Sequence, residues 1–264
     1  MNAPALLDVR SVTRRYRLPR TALLSPAPVL TAVSDVRLSL KPGECLGIVG
    51  ESGSGKSTLA RMIMGFERPD AGAVHFDGQD INAIARSHLR QIRPRFQMVF
   101  QDPIGSLDPR RTVGWSVAEP LLGDPALDAA ARRRRAGEAM EQVQMRPADM
   151  GRFPHEFSGG QRQRIAIARA IAPRPALLIG DEPVASLDVS VQAQILNLLM
   201  ELQEQLNLAI VIIGHDLAVI ASLCDRVMVM RGGAIVEQGP VGRILGSPQQ
   251  EYTRSLLAAA ASPL

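Results

Sequence analysis

The first part of the chain alternates apolar and polar residues with the period of two that half-buried strands show. Two such stretches, residues 6–18 and residues 29–40, predict strands. Between them lie Pro19, Pro26 and Pro28, which favour a loop. A shorter piece at residues 73–76, followed by the turn signal Asp77-Gly78, predicts part of a hairpin. These segments predict an antiparallel β subdomain near the N-terminus.

Beyond residue 44, short apolar runs alternate with longer amphipathic segments. The apolar runs predict strands at residues 45–49, 97–100, 176–179, 209–213 and 227–230. The amphipathic segments predict helices at residues 59–66, 161–172, 189–206 and 217–223. Strands that alternate with helices favour a parallel sheet covered on both faces. Residues 104–150 have a helical pattern broken by prolines, which predicts an inserted helical subdomain.

We therefore predict an α/β fold with a mixed, mainly parallel sheet in a single domain over residues 1–264. The core is expected at about residues 1–101 and 173–235, and the helical subdomain at about residues 102–172. A C-terminal extension is expected at about residues 236–264.

The composition and charge of the chain argue against some classes of function. Hydrophobic residues make up 46% of the chain and charged residues 21%, which is ordinary for a folded protein. Aromatic residues make up only 3%, which argues against a surface that stacks single-stranded bases, so we expect no nucleic-acid partner. The run Arg132-Arg133-Arg134-Arg135 contributes to the net charge of +4. A solvated helix face is favoured for this run over a patch for nucleic acid or acidic membranes.

The placement of the cysteines and the length of the apolar runs indicate the cellular compartment of the protein. Cys45 and Cys224 lie far apart in the sequence, both in apolar segments, which predicts buried free thiols and a reducing compartment. The cysteines and histidines show no metal-site spacing. The N-terminus lacks a signal-peptide pattern, and the longest apolar run, residues 208–213, is far shorter than the roughly 20 residues that span a bilayer. We expect an intracellular protein that reaches a membrane through a partner.

One motif dominates the candidate chemistry. After the predicted strand at residues 45–49, the chain fits the phosphate-binding pattern G-x-x-x-x-G-K-[ST] at every fixed position, and a predicted helix follows. The glycines let successive backbone N–H groups and the positive end of the helix face phosphate oxygens. Lys56 is expected to contact the β- and γ-phosphates, and Ser57 to bind Mg²⁺. The predicted contacts to a nucleoside triphosphate are Gly50, Glu51, Ser52, Gly53, Ser54, Gly55, Lys56, Ser57 and Thr58.

A pair of carboxylates follows a second buried strand. Asp181 and Glu182 stand at the carboxyl end of the predicted strand at residues 176–179, where open α/β sheets bind ligands. Asp181 is expected to hold Mg²⁺ through its water shell. Glu182 points elsewhere and is expected to orient and deprotonate the attacking water. The alternative is an ordinary acidic strand end.

At this point the sequence resembles the ATP-binding cassette (ABC) family of transporter ATPases over essentially the whole chain. Phe157-Ser158-Gly159-Gly160-Gln161, directly before a predicted helix, is similar to the family's signature motif, with Phe157 where leucine is usual. The resemblance implies a P-loop NTPase core of the ABC type, with ATP and Mg²⁺ as cofactors. It also implies four further roles: Gln101 contacts Mg²⁺ and the attacking water, His215 contacts the γ-phosphate, Asp188 ends a loop that crosses a dimer interface, and Tyr16 stacks on adenine.

Two of these assignments keep a structural alternative, and two glycines depart from the family pattern. Tyr16 also fits a core aromatic on the first strand, and His215 also fits a structural histidine. Gly180 stands where a larger aliphatic residue is usual, and Gly214 where threonine or serine is usual. Both glycines add backbone freedom beside catalytic side chains. No charged group is lost, so we expect an active ATPase.

The resemblance also implies partners. In this family two cassettes enclose ATP, and the signature of one copy completes the phosphate loop of the other. A second ATPase subunit, two transmembrane permease subunits and, indirectly, a periplasmic or extracellular solute-binding protein are therefore implied. The implied location is the cytoplasmic face of the cell membrane, with the chain held there by the permeases.

Several segments point to one branch of the family. Residues 97–103, 106–110, 188–199 and the tail at 247–253 are similar to the dipeptide, oligopeptide and nickel importer branch. Short members of that branch resemble the second of two non-identical ATPases, which favours a heterodimer over a homodimer. The implied function is ATP hydrolysis that powers import of a peptide, nickel or a related small solute. An accessory ATPase of a phosphonate-degrading complex also resembles this branch and remains the alternative.

Overall fold

A computed structural model describes residues 4–19 and 27–261 of the chain. Pro26, which is predicted to lie in a loop, is outside the described residues. The strands are β1 (Leu7–Arg17), β2 (Val29–Leu40), β3 (Cys45–Val49), β4 (Ala71–Phe76), β5 (Gln79–Asp80), β6 (Phe96–Val99), β7 (Leu177–Asp181), β8 (Ala209–Gly214), β9 (Arg226–Arg231) and β10 (Ala234–Pro240). The helices are α1 (Lys56–Ile63), α2 (Arg86–Ile92), α3 (Pro103–Ser106), α4 (Val113–Ala118), α5 (Ala129–Gln142), α6 (Gly159–Ile171), α7 (Val189–Leu206), α8 (Leu217–Leu223), α9 (Val241–Gly246) and α10 (Glu251–Ala261).

The chain divides into two compact units. The first contains Met1–Ile84 and Ile213–Leu264, and the second contains Ala85–Ile212. The predicted boundaries between core, helical subdomain and C-terminal extension stay predictions. Among the described residues, no helix combines the length and the apolar character that a membrane crossing requires.

The first unit contains the predicted antiparallel subdomain, a sheet with the strand order β2-β1-β4-β5. Leu7 on β1 pairs with Leu40 on β2 and with Phe76 on β4, and all three side chains are buried. The long strands β1 and β2 match their predicted bounds to within one residue. Apolar and polar residues alternate over part of each strand, although the pairing of β1 with β2 has register shifts between Val9 and Arg15.

Strand β3, which precedes the phosphate-binding pattern, lies in a second sheet of the first unit. It is buried along its whole length and pairs parallel to β9, which pairs antiparallel to β10. Gly47 in β3 lets α8 pack closely, since a Cβ there would lie 2.1 Å from Cγ2 of Ile220. Cys45 and Cys224 are buried and free, as predicted, and their sulfur atoms lie 3.1 Å apart. The sequence did not predict this contact, because the two cysteines lie far apart along the chain.

The second unit combines a parallel sheet with most of the helices. Strand β6 pairs parallel to β7, with Phe96 opposite Leu177, and the strand order is β8-β7-β6. The mixture of parallel and antiparallel pairs confirms the predicted mixed sheet. Helix α6 is buried on more than one face: Ile167 and Ile171, four residues apart, share one face, and Ile165 lies on another.

The predicted helical stretch consists of separate pieces, as its prolines indicate. The helices α3, α4 and α5 lie within residues 103–142, and 3₁₀ turns begin at Glu119, directly before Pro120, and at Pro147. Of the arginine run on α5, Arg133 and Arg134 are exposed, whereas Arg132 and Arg135 are half-buried. The predicted solvated face therefore holds for two of the four arginines. Helices α2, α9 and α10 and strand β10 were not predicted.

Candidate nucleotide-binding site

The phosphate loop connects β3 to α1, as the sequence motif requires. Helix α1 begins at Lys56, three residues earlier than predicted, because the apolar pattern marks only Leu59 onwards. Gly55 caps the helix with φ +104°, a left-handed conformation that favours glycine. A Cβ on Gly55 would lie 2.1 Å from the carbonyl oxygen of Ala32, and one on Gly50 would lie 2.1 Å from that of Met230. The glycines therefore let the loop pack against its supporting strands.

Lys56 is buried beneath the loop and holds it together. Its side chain is only 5% exposed in relative area. The Nζ atom donates to the carbonyl oxygens of Gly50 at 2.7 Å and Glu51 at 2.8 Å, and to Oγ of Ser54 at 3.4 Å. A single ammonium group thus bridges both limbs of the loop. This arrangement fixes the cation where a phosphate chain would need it.

The outer face of the loop is open. Glu51, Ser52, Gly53 and Ser57 are exposed, and Thr58 is half-buried on α1. A Cβ on Gly53 would meet nothing within 4 Å. An exposed glycine loop at a helix N-terminus, with a buried lysine behind it, fits the phosphates of ATP.

The loop is supported by two contacts from the end of the first unit. The backbone N–H of Gly233, between β9 and β10, donates to the carbonyl oxygen of Ser54 at 3.0 Å. The backbone N–H of Glu51 donates to the hydroxyl of Tyr252 on α10 at 3.1 Å. Sequence reasoning missed Tyr252 as a site residue. The indication in the sequence was the similarity of the tail segment at residues 247–253, which contains Tyr252, to the importer branch.

The first unit also contains Tyr16 and His215. Tyr16 is half-buried rather than a core residue; its hydroxyl donates to Glu67, and the guanidinium of Arg14 lies 4.9 Å from the ring centroid. His215 is exposed directly after β8, so it is not a core histidine either. Adenine stacking by Tyr16 and phosphate contact by His215 remain predictions.

In the second unit the structure brings Gln101 and Glu182 together. The Nε2 atom of Gln101 donates to Oε2 of Glu182 at 3.2 Å. Asp181 is the last residue of β7, as predicted. Glu182 has φ +50°, a left-handed conformation that is uncommon outside glycine and that turns its backbone sharply away from the strand direction. The regular strand conformation therefore ends at Asp181, and the separate roles of the two carboxylates stay predictions.

The signature segment begins α6 with a reciprocal cap. Oγ of Ser158 accepts from the backbone N–H of Gln161 at 3.4 Å, and the Gln161 side chain accepts from the backbone N–H of Ser158 at 3.0 Å. Ser158 and Gly159 are exposed. Gly160 permits close packing of α6 on α7, because a Cβ there would lie 2.5 Å from Cγ1 of Val191.

Asp188 caps the next helix. Its carboxylate accepts from the backbone N–H of Val191 at 2.9 Å and from the hydroxyl of Ser190 at 2.7 Å. These hydrogen bonds, led by that from Val191, lower the pKa of Asp188. Asp188 therefore stays ionised and fixes the start of α7, in addition to the interface role that the resemblance implies.

The two unusual glycines have different surroundings. At Gly180 a Cβ would lie 3.0 Å from Cγ of Pro183 and 3.1 Å from Cδ1 of Ile212, so a larger side chain has little room. At Gly214 the nearest atom to such a Cβ is Cδ1 of Ile220, at 3.7 Å, an ordinary contact. Packing therefore explains Gly180, whereas nothing in the structure explains Gly214.

A glycine-rich loop that leads from a buried strand into a helix with its lysine in the first turn, together with a buried strand that ends in Asp-Glu, defines a P-loop nucleoside triphosphatase. Comparison with known proteins makes the class more specific. The family model described as ABC transporter matches residues 33–185. The chain therefore belongs to the ABC transporter family, and it binds and hydrolyses ATP.

Individual relatives agree with this family. A probable peptide ABC transporter ATP-binding protein, y4tS of Sinorhizobium fredii (strain NBRC 101917 / NGR234), is 47% identical over 259 residues, 98% of this chain and 73% of that protein. The di/tripeptide transport ATP-binding protein DppF of Pseudomonas aeruginosa (strain UCBPP-PA14) is 45% identical over 254 residues, 96% of this chain and 78% of that protein. The dimeric post-hydrolysis structure of the ATP-binding cassette MJ0796, bound to ADP and Pi, has a TM-score of 0.78 at 30% identity and covers 89% of this chain and 98% of its own. The predicted family and fold are confirmed.

Proposed function

We propose that this chain is the ATPase subunit of an ABC importer for peptides, nickel or a related small solute, and that it works at the cytoplasmic face of the cell membrane. The observation that carries the ATPase part is the buried Lys56, whose ammonium bridges the two limbs of the phosphate loop. The names of the relatives, which refer to peptide transport, support the importer and favour peptides among the solutes. They also favour an importer over an accessory ATPase of a phosphonate-degrading complex.

The phosphate loop binds the triphosphate of ATP. Backbone N–H groups of the exposed loop and of the first turn of α1 donate to phosphate oxygens, and Lys56 supplies the positive charge. Tyr16 contacts the adenine ring, since its ring is half-exposed on β1. Hydrogen bonds from Lys56 hold the loop in one conformation, which limits the ordering entropy lost on binding.

Ser57, Gln101 and Asp181 would hold Mg²⁺. A hydroxyl, an amide oxygen and a carboxylate are the oxygen ligands that this ion prefers, so the donor set fits. The bound ion supplies charge neutralisation on the phosphate oxygens. The chain's own contribution is to hold these three oxygen donors on a helix end, a strand end and the segment after β6.

Glu182 accepts a proton from the attacking water. Its hydrogen bond with Gln101 holds the carboxylate in one orientation, and the amide of Gln101 orients the water. His215 donates to the γ-phosphate as charge develops there. Asp181 serves the ion, and Glu182, whose backbone is left-handed with φ +50°, serves the water.

A second ATPase subunit completes the site. Ser158, Gly159 and Gly160 begin α6 with two of the three exposed, as a surface that caps the ATP of a partner copy requires. Asp188 fixes the neighbouring interface loop through its cap of α7. We propose a heterodimer with a non-identical cassette, docked on two permease subunits that receive solute from an extracytoplasmic binding protein.

A single substitution tests the hydrolytic step. Glu182→Gln is expected to keep ATP binding and to lower kcat by roughly 100- to 10,000-fold, because the general base is lost. ATP-stable dimers should then accumulate and be visible by size-exclusion chromatography with light scattering. Glu204→Gln, an exposed residue on α7, is the matched control and should leave kcat unchanged. Full turnover by Glu182→Gln would assign the base to another residue.

A second experiment tests the importer. Affinity purification of the tagged chain from detergent-solubilised membranes should bring two permeases and a second cassette, and the purified complex in proteoliposomes should hydrolyse ATP faster when peptide-loaded binding protein is added. Recovery of soluble enzyme subunits in place of permeases would instead support the accessory ATPase.

A further inference from the structure

The first turn of the C-terminal helix α10 contacts the phosphate loop. Tyr252, the second residue of α10, is 7% exposed. Its hydroxyl accepts a hydrogen bond of 3.1 Å from the backbone N–H of Glu51, the first residue of the loop after Gly50. A loop amide that is bound in this way faces the C-terminal helix and is not available to a phosphate oxygen. Tyr252 therefore supports the loop from its protein side.

The peptide group that joins Gly50 to Glu51 is held at both ends. Its N–H, which is that of Glu51, is bound by Tyr252, and its carbonyl oxygen, which is that of Gly50, accepts from Nζ of Lys56 at 2.7 Å. The same lysine is the residue that the function assigns to the phosphates. The orientation of this peptide group therefore links the position of the Lys56 ammonium to the hydroxyl of Tyr252.

Tyr252 is itself fixed. The guanidinium of Arg231, at the end of β9, lies 4.7 Å from its ring centroid. Just before Tyr252, the carboxylate of Glu237 on β10 accepts from the backbone N–H groups of Gln249 at 2.8 Å and Gln250 at 3.1 Å. The side chain that follows, Thr253, is fully buried. The start of α10 is thus anchored to β10, and its tyrosine is held against the loop.

We propose that Tyr252 is a positioning residue of the ATPase, which sets the conformation of the phosphate loop through the amide of Glu51 and so couples the C-terminal helix to ATP binding. The proposal rests on ATP binding by this loop, which is part of the proposed function. It gives the tail segment at residues 247–253 a role beyond the fold. Because coupling between two sites is reciprocal, ATP must stabilise α10 by as much as α10 favours ATP.

The first test removes only the hydroxyl. Tyr252→Phe keeps the ring and leaves the Glu51 amide without its acceptor, so the Kd for ATP and for ADP should rise roughly three- to tenfold. The kcat at saturating ATP should change little, since the residue touches no reacting atom. Ser255→Ala deletes a hydroxyl from the same helix, one that donates to the Tyr252 carbonyl oxygen, and should leave both Kd values unchanged. Calorimetric titration of the full chain gives these values.

The second test measures the coupling itself. In the wild-type chain, saturating ATP should slow amide hydrogen exchange over residues 251–261, and this protection should be lost in Tyr252→Phe although ATP is still saturating. If Tyr252 only stabilised the fold, ATP would not protect α10 through its hydroxyl, and wild type and Tyr252→Phe would show the same ATP-dependent change in exchange. Glu237→Gln weakens the anchor of α10 but retains Tyr252, so this variant should also raise the Kd for ATP. If Tyr252→Phe does not fold, Glu237→Gln is the variant to measure in its place.

The outcomes separate the two proposals. A wild-type chain that binds no ATP contradicts the proposed function and this inference with it. A wild-type chain that binds ATP, with wild-type Kd and wild-type exchange protection in Tyr252→Phe or in its substitute Glu237→Gln, overturns the inference alone.

Discussion

Gly55 is the loop position where the structure leaves least room for any other residue. A Cβ there would lie 2.1 Å from the carbonyl oxygen of Ala32, whereas real Cβ atoms essentially never approach within 3.0 Å. The obstructing atom belongs to the backbone of β2, so no side-chain rotation relieves the overlap. In Gly55→Ala the loop must therefore move by about 1 Å. Its φ of +104° adds strain that costs roughly 1–3 kcal/mol.

The displacement acts directly on Lys56, the next residue. Its hydrogen bonds of 2.7 Å and 2.8 Å to the carbonyl oxygens of Gly50 and Glu51 would lengthen beyond hydrogen-bond range. A hydrogen bond to a charged group contributes about 1.5–3 kcal/mol, so displacing the Lys56 ammonium from a phosphate oxygen should raise the Kd of Gly55→Ala for ATP by roughly 10- to 100-fold. The stability of the fold should fall as well, by more than the backbone strain alone.

Gly53→Ala is the matched control in the same loop. Gly53 also has positive φ, +78°, but a Cβ there would meet nothing within 4 Å, so only the roughly 1–2 kcal/mol of a left-handed residue applies. Calorimetric titration with ATP and urea unfolding of both variants separate strain from overlap. Equal ATP affinity in Gly55→Ala and Gly53→Ala would refute the claim that close packing of the loop on β2 positions Lys56.

Three further results are expected. Gly180→Ala should destabilise the fold by about 1 kcal/mol through overpacking against Pro183, whereas Gly214→Ala should be neutral or slightly stabilising; the reverse order in urea unfolding would contradict the packing at these sites. The hydrogen bond with Cys45 and burial raise the pKa of the Cys224 thiol, so above the ordinary pKa of about 8.5 the unfolded chain loses a proton that the folded chain keeps. Stability should therefore fall as the pH rises past that value, and iodoacetamide should label Cys224 far more slowly in native protein than in urea; equal rates would contradict this. Burial alone would raise the pKa of Glu237, but hydrogen bonds led by the Gln249 amide lower it, so its ionised carboxylate stabilises the fold at neutral pH and that contribution is lost as the pH falls below about 4.3. The acid-induced loss of stability should be smaller in Glu237→Gln, and identical pH profiles would rule out this carboxylate.

The pattern of apolar and polar residues predicted the strands in which buried residues alternate with exposed ones or follow one another without a break. Strands β1 and β2 follow a period of two over part of their length, and β3 is short and wholly apolar, so their bounds follow from the sequence almost to the residue. Helix α1 was placed too late because its first turn consists of motif residues, Lys56 and Ser57, which carry no apolar signal. Helices α2 and α9 have seven and six residues, so they are too short for a helical period to stand out in the sequence.

The same limit applies to the site. The residue types and their order predicted the phosphate loop, the Asp-Glu strand end and the signature. Contacts between distant segments could not be predicted: Gln101 with Glu182, Cys45 with Cys224, and Glu51 with Tyr252. Each depends on how the chain packs, which composition and spacing do not record.

Lys56 and Lys41 are the two lysines of this chain, so the charge at the phosphate loop can be removed with a matched control. Calorimetric titration should be run with ATP on the wild-type chain, on Lys56→Ala and on Lys41→Ala, whose lysine is exposed in the turn before β3. Lys56→Ala should lose measurable ATP binding while it stays folded, and Lys41→Ala should bind ATP like the wild type. Wild-type affinity in Lys56→Ala would contradict the assignment of the phosphate site to this loop.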